Sequence, residues 1–175
     1  TNCTDCHGDT RQHAGYFAVT FTPDICKSCH DYERQIDGAT GWKDRNAGYG
    51  AAPLARRVHG VHRGHYLDKP EEVHATYDYS EVIFPQDIRN CTKCHSENDM
   101  WKEEPSRLAC LACHDSDEAI THASLQIVDT TPTEPYSGDE AESCAVCHGA
   151  GRDFAADKVH NIWDPYAPPY PREAE

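Results

Sequence analysis

The sequence predicts a mostly irregular fold with a few short α-helices, gathered around something other than a polypeptide core. Three observations carry that expectation. Mean hydropathy is -0.79, charged residues make up 26% and Leu, Ile, Val and Phe are scarce, so apolar burial falls short of the conformational entropy lost on folding. Ten cysteines and twelve histidines stand among 175 residues, a density that points to bonded groups as the source of order. The cysteines recur in pairs with two residues between them, and each pair is followed at once by histidine.

The pairs read CTDCH (Cys3, Cys6, His7), CKSCH (Cys26, Cys29, His30), CTKCH (Cys91, Cys94, His95), CLACH (Cys110, Cys113, His114) and CAVCH (Cys144, Cys147, His148). CxxCH is the attachment signature of c-type haem. Two thiols at that spacing add across the two vinyl groups of one porphyrin, and the next histidine falls under the iron as its proximal ligand. A zinc ribbon or a disulfide framework would not require the histidine. Nor would it require all ten cysteines to fall in the same motif. The motifs therefore predict five covalently attached haem c groups. The fold class becomes a multihaem cytochrome c fold organised around a stack of five haems. Residues 1–175 are expected to form a single pentahaem domain, with 162–175 as a proline-rich tail or linker. One haem for every 35 residues brings the porphyrins into contact, and their flat apolar faces supply the missing core. Removing them should unfold the chain, as metal removal unfolds small metallo-domains.

Taken in order, the first two motifs precede a 60-residue stretch without one. It holds the glycine-rich GATGWKDRNAGYGAAP and then RRVHGVHRGHYL, which sets His59, His62 and His65 at i, i+3 and i+6. On a helix these drift along one broad face and can address different irons. Val82, Ile83 and Phe84, near Tyr77 and Tyr79, read as a short extended piece. PSRLACLACHDSDEAITHA reads as one helix starting at Pro105 and Ser106. DEAESCAVCHG reads as another, with acidic residues in its first turn and Gly149 as its stop. The tail WDPYAPPYPREAE reads as extended chain.

Outside the motifs stand His13, His59, His62, His65, His74, His122 and His160. Seven candidates for five remaining axial positions suffice to close every iron with a second histidine. A closed, low-spin iron suits electron transfer, whereas an enzyme haem keeps one face open. Met100, the only methionine, limits His/Met ligation to one iron and reads as a packing residue. His13 lies six residues after His7, and six extended residues reach only about 20 Å; looping round the same porphyrin is strained, which directs His13 to another haem. His122, eight residues after His114, carries the same ambiguity. The residues alone leave the pairing open.

The formal net charge is -14, which disfavours nucleic acid and anionic membrane as partners. No run of about 18 apolar residues is present to span a bilayer. The start at Thr1, two residues before the first motif, leads us to expect a processed product, a fragment or an excised domain. Haem attachment places the chain outside the cytoplasm, at the periplasm or cell surface.

Several segments resemble the extracellular multihaem cytochromes of the OmcA/MtrC family, from outer membranes of metal-reducing bacteria. CTDCHGDTRQHAG followed by CKSCH is similar to that family's first haem pair, and RRVHGVHRGHYL to its histidine-x-x-histidine segment. IFPQDIRNCTKCH, MWKEEPSRLACLACH, ITHA and CAVCHGAGRDFAADKVH follow in the family's order. The resemblance spans nearly the whole chain and corresponds to one pentahaem domain. It implies distal ligands at His13, His59, His62, His122 and His160, leaving His65 and His74 over. It also implies respiratory electron transfer at the cell surface, to metal oxides, flavins, or other cytochromes of an outer-membrane electron conduit. Family members usually carry two such domains interleaved with β-barrels, and neither a second set nor a clear barrel stands here.

Electron transfer is the leading reading. A multihaem nitrite, hydroxylamine or sulfite reductase is the first rival, and it needs an open iron. Self-assembly into a conducting filament is the second, with His65, His74 or the tail reaching a neighbouring copy. A haem sensor is the least favoured.

Overall fold

The computed structural model describes residues 3–7, 22–27, 30, 53–73, 78–96, 98–130 and 140–160. Helices α1 (Thr4–His7) and α2 (Pro23–Lys27) carry the first two motifs. Helix α3 (Leu54–Arg63) is the longest element, continued by a 3₁₀ turn over Gly64–Tyr66. Then come α4 (Met100–Glu103), α5 (Arg107–Cys110), α6 (Asp117–Ser124), α7 (Ala145–His148) and α8 (Ala156–Val159). Strands β1 (Ile127–Val128) and β2 (Ala141–Glu142) form a two-residue antiparallel pair, Ile127 opposite Glu142 and Val128 opposite Ala141. The described chain is thus mostly irregular with short helices, as expected.

Helix α3 starts where Pro53 sets an extended backbone and runs through Leu, Ala and Arg, all good helix formers. It packs against α5. Arg56 Nη1 donates to the Leu111 carbonyl at 2.5 Å, and Arg57 Nη1 donates to the Val73 carbonyl at 2.5 Å. Among the described residues the buried apolar side chains are only Leu108, Leu111, Ala112 and Ala155. Larger ones lie open: Leu125 is 76% exposed, Val128 67%, Val146 64% and Phe154 62%. Met100, expected to pack, is 58% exposed on the first turn of α4. So small a core cannot account for the order of these short elements.

Three local expectations need correction. The stretch from Pro105 to Ala123 is two helices, because it carries two N-caps. Ser106 Oγ accepts from Ala109 N at 3.5 Å and Ser116 Oγ from Ala119 N at 3.3 Å, and each hydroxyl starts its own helix. Between them the buried Asp115 carboxylate accepts from Asp68 N at 3.1 Å and Lys69 N at 2.6 Å, tying this break to the segment after α3. Of the run from Asp139 to Gly149, the described residues 140–149 hold a helix only over Ala145–His148, with Gly149 as its cap; Glu142 is on β2 and accepts from Arg107 N instead of lining a helix start. Val82–Phe84, expected as a short extended piece, is irregular chain that pairs with no other strand among the described residues. Val82 N donates to Tyr79 O at 2.9 Å and Val82 O accepts from His65 N at 3.0 Å, so a turn and the 3₁₀ segment use its backbone groups. Tyr77, the glycine-rich loop over 38–52 and the tail over 162–175 lie outside the described residues.

That junction constrains Gly64. It is buried, and a Cβ there would run into the Tyr79 carbonyl oxygen and press on Val82. Gly64→Ala is therefore expected to destabilise the protein by about 1–3 kcal/mol, the usual cost of overpacking. Thermal unfolding followed at the haem absorption band would measure it; an unchanged midpoint would contradict the close approach.

Candidate functional site

The five motifs share one local structure. In each, the histidine N–H donates to the carbonyl of the first cysteine at 2.9 Å: His7 to Cys3, His30 to Cys26, His95 to Cys91, His114 to Cys110 and His148 to Cys144. One helical turn of this kind sets residues i, i+3 and i+4 on the same side. In the four motifs described in full, both sulfurs and the imidazole therefore face one region. The nine described cysteines are all free thiols, Cys6, Cys94, Cys110 and Cys147 exposed and the rest half-buried.

Four motif histidines face a histidine from elsewhere in the chain. His7 and His62 have ring centres 5.7 Å apart and Nε2 atoms 3.4 Å apart. His59 and His95 are 6.1 Å apart, His114 and His160 5.9 Å, and His122 and His148 6.2 Å. A first-row metal holds an imidazole nitrogen at about 2.0–2.1 Å, so two such bonds in line put ring centres about 6 Å apart. The ring-centre spacing fits an iron between each pair, and His7 Nε2 and His62 Nε2 would open from 3.4 Å to about 4 Å to admit one. Among the described residues no group of three or more His, Cys, Asp or Glu side chains could hold a metal ion. The donors come in twos, which suits an iron whose other four positions belong to a porphyrin.

Backbone carbonyls orient several of these rings. His62 Nδ1 lies 2.7 Å from the Val58 carbonyl one turn back on α3, and His148 Nδ1 lies 2.9 Å from the Phe154 carbonyl. Occupying Nδ1 in this way frees Nε2 to point at a metal. Burial, then the neighbouring His95, pushes His59 down to about 4. Burial and His114 likewise lower His160, and burial lowers His95. Each is thereby held as the neutral imidazole that a metal requires. Burial also raises the Cys113 thiol to about 11.

Sequence reasoning missed the aromatic edges beside these pairs. Phe84 meets the His62 ring edge-on at 5.5 Å, and Phe154 lies 6.4 Å from the His148 ring. Nothing in their spacing marks either as a neighbour of a histidine pair. His65 differs from the paired histidines. Its Nδ1 is 3.1 Å from the Ser80 carbonyl and its ring stands edge-on to Tyr66 at 5.0 Å. Cys29, His13 and His74 lie outside the described residues.

The motif turns also neighbour one another. Burial raises the Cys94 thiol, and Cys3 and Cys6 add to the shift; burial raises Cys113, with Cys91 among the contributing neighbours; burial and then Cys144 raise Cys110. The first motif thus adjoins the third, the third the fourth, and the fourth the fifth.

A family model described as outer membrane cytochrome MtrC/MtrF-like, domains II/IV, matches residues 1–161. The chain belongs to this family. No curated protein and no solved structure matches it. Membership in the MtrC/MtrF-like family makes it a cytochrome of the outer-membrane, electron-transferring kind and implies haem c at its attachment motifs. No helix among the described residues is long and apolar enough to cross a membrane.

Proposed function

We propose that residues 1–175 form one pentahaem domain that carries respiratory electrons at the cell surface through five bis-histidine haem c groups. The observation that carries this reading is the set of four histidine pairs with ring centres 5.7–6.2 Å apart. Cys3 and Cys6, Cys26 and Cys29, Cys91 and Cys94, Cys110 and Cys113, and Cys144 and Cys147 would each tether one haem. The axial pairs would be His7 with His62, His95 with His59, His114 with His160 and His148 with His122. His13, the remaining member of the expected distal set, lies outside the described residues and would be left for His30. Each iron supplies a one-electron Fe(III)/Fe(II) couple when bound. The protein's part would be to hold each group between two neutral imidazoles, which would keep substrate off the metal and limit rearrangement between oxidation states.

The contiguity of the motifs supports a conducting line running through the first, third, fourth and fifth haems, with the second tied in where Leu54 N donates to His30 O at 3.0 Å. Partner cytochromes of an outer-membrane conduit would load this line, and metal oxides or flavins would drain it. The exposed apolar side chains, among them Val146 and Phe154, support a core completed by porphyrin faces.

The ring angles make the reading testable. His59/His95 and His114/His160 are near parallel, at 21° and 25°, whereas His7/His62 and His122/His148 are crossed, at 69° and 87°. Crossed axial planes leave two iron d orbitals nearly degenerate and give a highly anisotropic low-spin EPR signal; parallel planes give a rhombic one. The oxidised protein is expected to show both classes, with five haems by pyridine haemochrome assay. A substantial high-spin signal would instead favour a reductase with an open iron.

A further inference from the structure

The four histidine pairs differ in what their Nδ1 atoms meet. At the first and fifth motifs one ring of each pair is bound to a backbone carbonyl, His62 Nδ1 at 2.7 Å from Val58 O and His148 Nδ1 at 2.9 Å from Phe154 O. The second of these depends on two successive turns, in which Arg152 N donates to Gly149 O at 3.1 Å and Ala155 N to Arg152 O at 3.2 Å. Gly151, at φ 79°, allows the chain to return Phe154 O to the His148 ring. At the third and fourth motifs the counterpart is an orphan. His59 Nδ1 and His160 Nδ1 are buried atoms without a hydrogen bond. Burial, then the facing histidine, lowers the pKa of both rings. That outweighs the carbonyl one turn back, Ala55 for His59 and Ala156 for His160, which meets neither Nδ1 in hydrogen-bond geometry. The division follows the ring angles: the carbonyl-bound pairs are the crossed ones and the orphaned pairs the near-parallel ones. A buried donor left unpaired is destabilising, so packing does not explain why two of the four pairs carry one.

We infer that the third and fourth motifs hold higher-potential haems than the first and fifth, so that a partly reduced chain keeps its first two electrons at its centre. The inference rests on the attachment and axial pairing read above. An imidazole that donates its Nδ1–H to a carbonyl becomes a more basic ligand, and a more basic ligand stabilises the ferric state, which carries one more positive charge than the ferrous. An imidazole with no acceptor for that proton is a weaker donor, and buried surroundings further disfavour the added charge. At the third motif burial lowers the facing His95 as well, so both rings there report the same surroundings. The motif turns adjoin in the order first, third, fourth, fifth, which sets the two higher-potential positions between the two lower ones. An electron entering at either end runs downhill to the centre, and one leaving must climb through an end position. The second motif, whose facing histidine lies outside the described residues, takes no part in this ordering.

The test is an EPR-monitored redox titration of the full haem-loaded chain, with each low-spin signal assigned by the ligand whose removal abolishes it. His59→Ala marks the third haem, His160→Ala the fourth, His62→Ala the first and His122→Ala the fifth. On stepwise reduction of the parent, the third and fourth signals are expected to disappear before the first and fifth, with one-electron equilibria roughly tenfold, about 59 mV, further toward the ferrous form. An end signal that disappears before a central one, or a separation under threefold, would overturn the inference. Ala55→Asn places a neutral acceptor one turn before His59 and is expected to shift the third haem at least threefold toward the ferric form. Ala55→Leu, of similar size, is expected to leave it near the parent; equal shifts in the two would also count against the inference. If the Ala55 variants yield no haem-loaded protein, the order in the parent decides alone. Failure of the underlying reading is separately visible, because the parent would then carry fewer than five haems or His59→Ala would abolish no low-spin signal.

Discussion

Chain made without haem attachment is expected to remain unfolded, with a coil-like far-ultraviolet circular dichroism spectrum and cleavage by protease throughout its length. The reason is the distribution of apolar surface. Leu108, Leu111, Ala112 and Ala155 make up the buried apolar set among the described residues, and two of the four are alanines. Helices of four or five residues such as α1, α2 and α7 do not persist in water without tertiary support. The support available to them is the group bonded to their own cysteines. Porphyrin insertion would cover side chains such as Val146 and Phe154 and replace facing imidazole pairs by two strong bonds to one metal. Replacing both cysteines of the third motif, Cys91 and Cys94, by serine should be more damaging than the same change in the first or the fifth, since the third adjoins both the first and the fourth. A cooperative thermal transition in haem-free chain would contradict this account.

His59→Ala is expected to convert one haem in five to a high-spin, ligand-accessible form while the other four stay low-spin. His59 stands half-buried on α3, 6.1 Å from His95, and is held neutral with its pKa lowered to about 4. Carbon monoxide should then bind the reduced protein at a single iron, and added imidazole should restore the low-spin spectrum. His65→Ala is the matched control. It removes a histidine from the same segment, but one whose ring rests on Tyr66 and whose Nδ1 faces Ser80, so all five haems should remain low-spin. A high-spin fraction in His65→Ala, or none in His59→Ala, would overturn the pairing.

How much of this was legible in the sequence depends on the range of the interaction. The motif turns were fully legible, because covalent attachment fixes thiol, thiol and imidazole within five consecutive residues. The mostly irregular architecture followed from composition. The pairing was not legible. His59 and His62 are three residues apart on one helix, yet they meet His95 and His7, which lie on opposite sides of them in the chain. Only the packing of α3 decides that division. Helix ends were missed for a related reason. Ser116 reads as an ordinary position in a helical run until Asp115 is drawn away to the backbone of Asp68 and Lys69. The Glu142 contact with the Arg107 backbone depended on a strand pair two residues long, too short to leave a periodic signal.

The division of labour on α3 also orders events in time. In a chain that emerges amino terminus first, the first motif is presented 55 residues before His62, its facing partner. His59, by contrast, precedes the motif it faces. A haem joined early at Cys3 and Cys6 would therefore wait with one axial site vacant until α3 appears, whereas the third motif would meet its second imidazole already made. Arrival of a single ten-residue helix would then close the first iron and stand ready for the third, and the interval before it arrives is when the first is open to the wrong ligand.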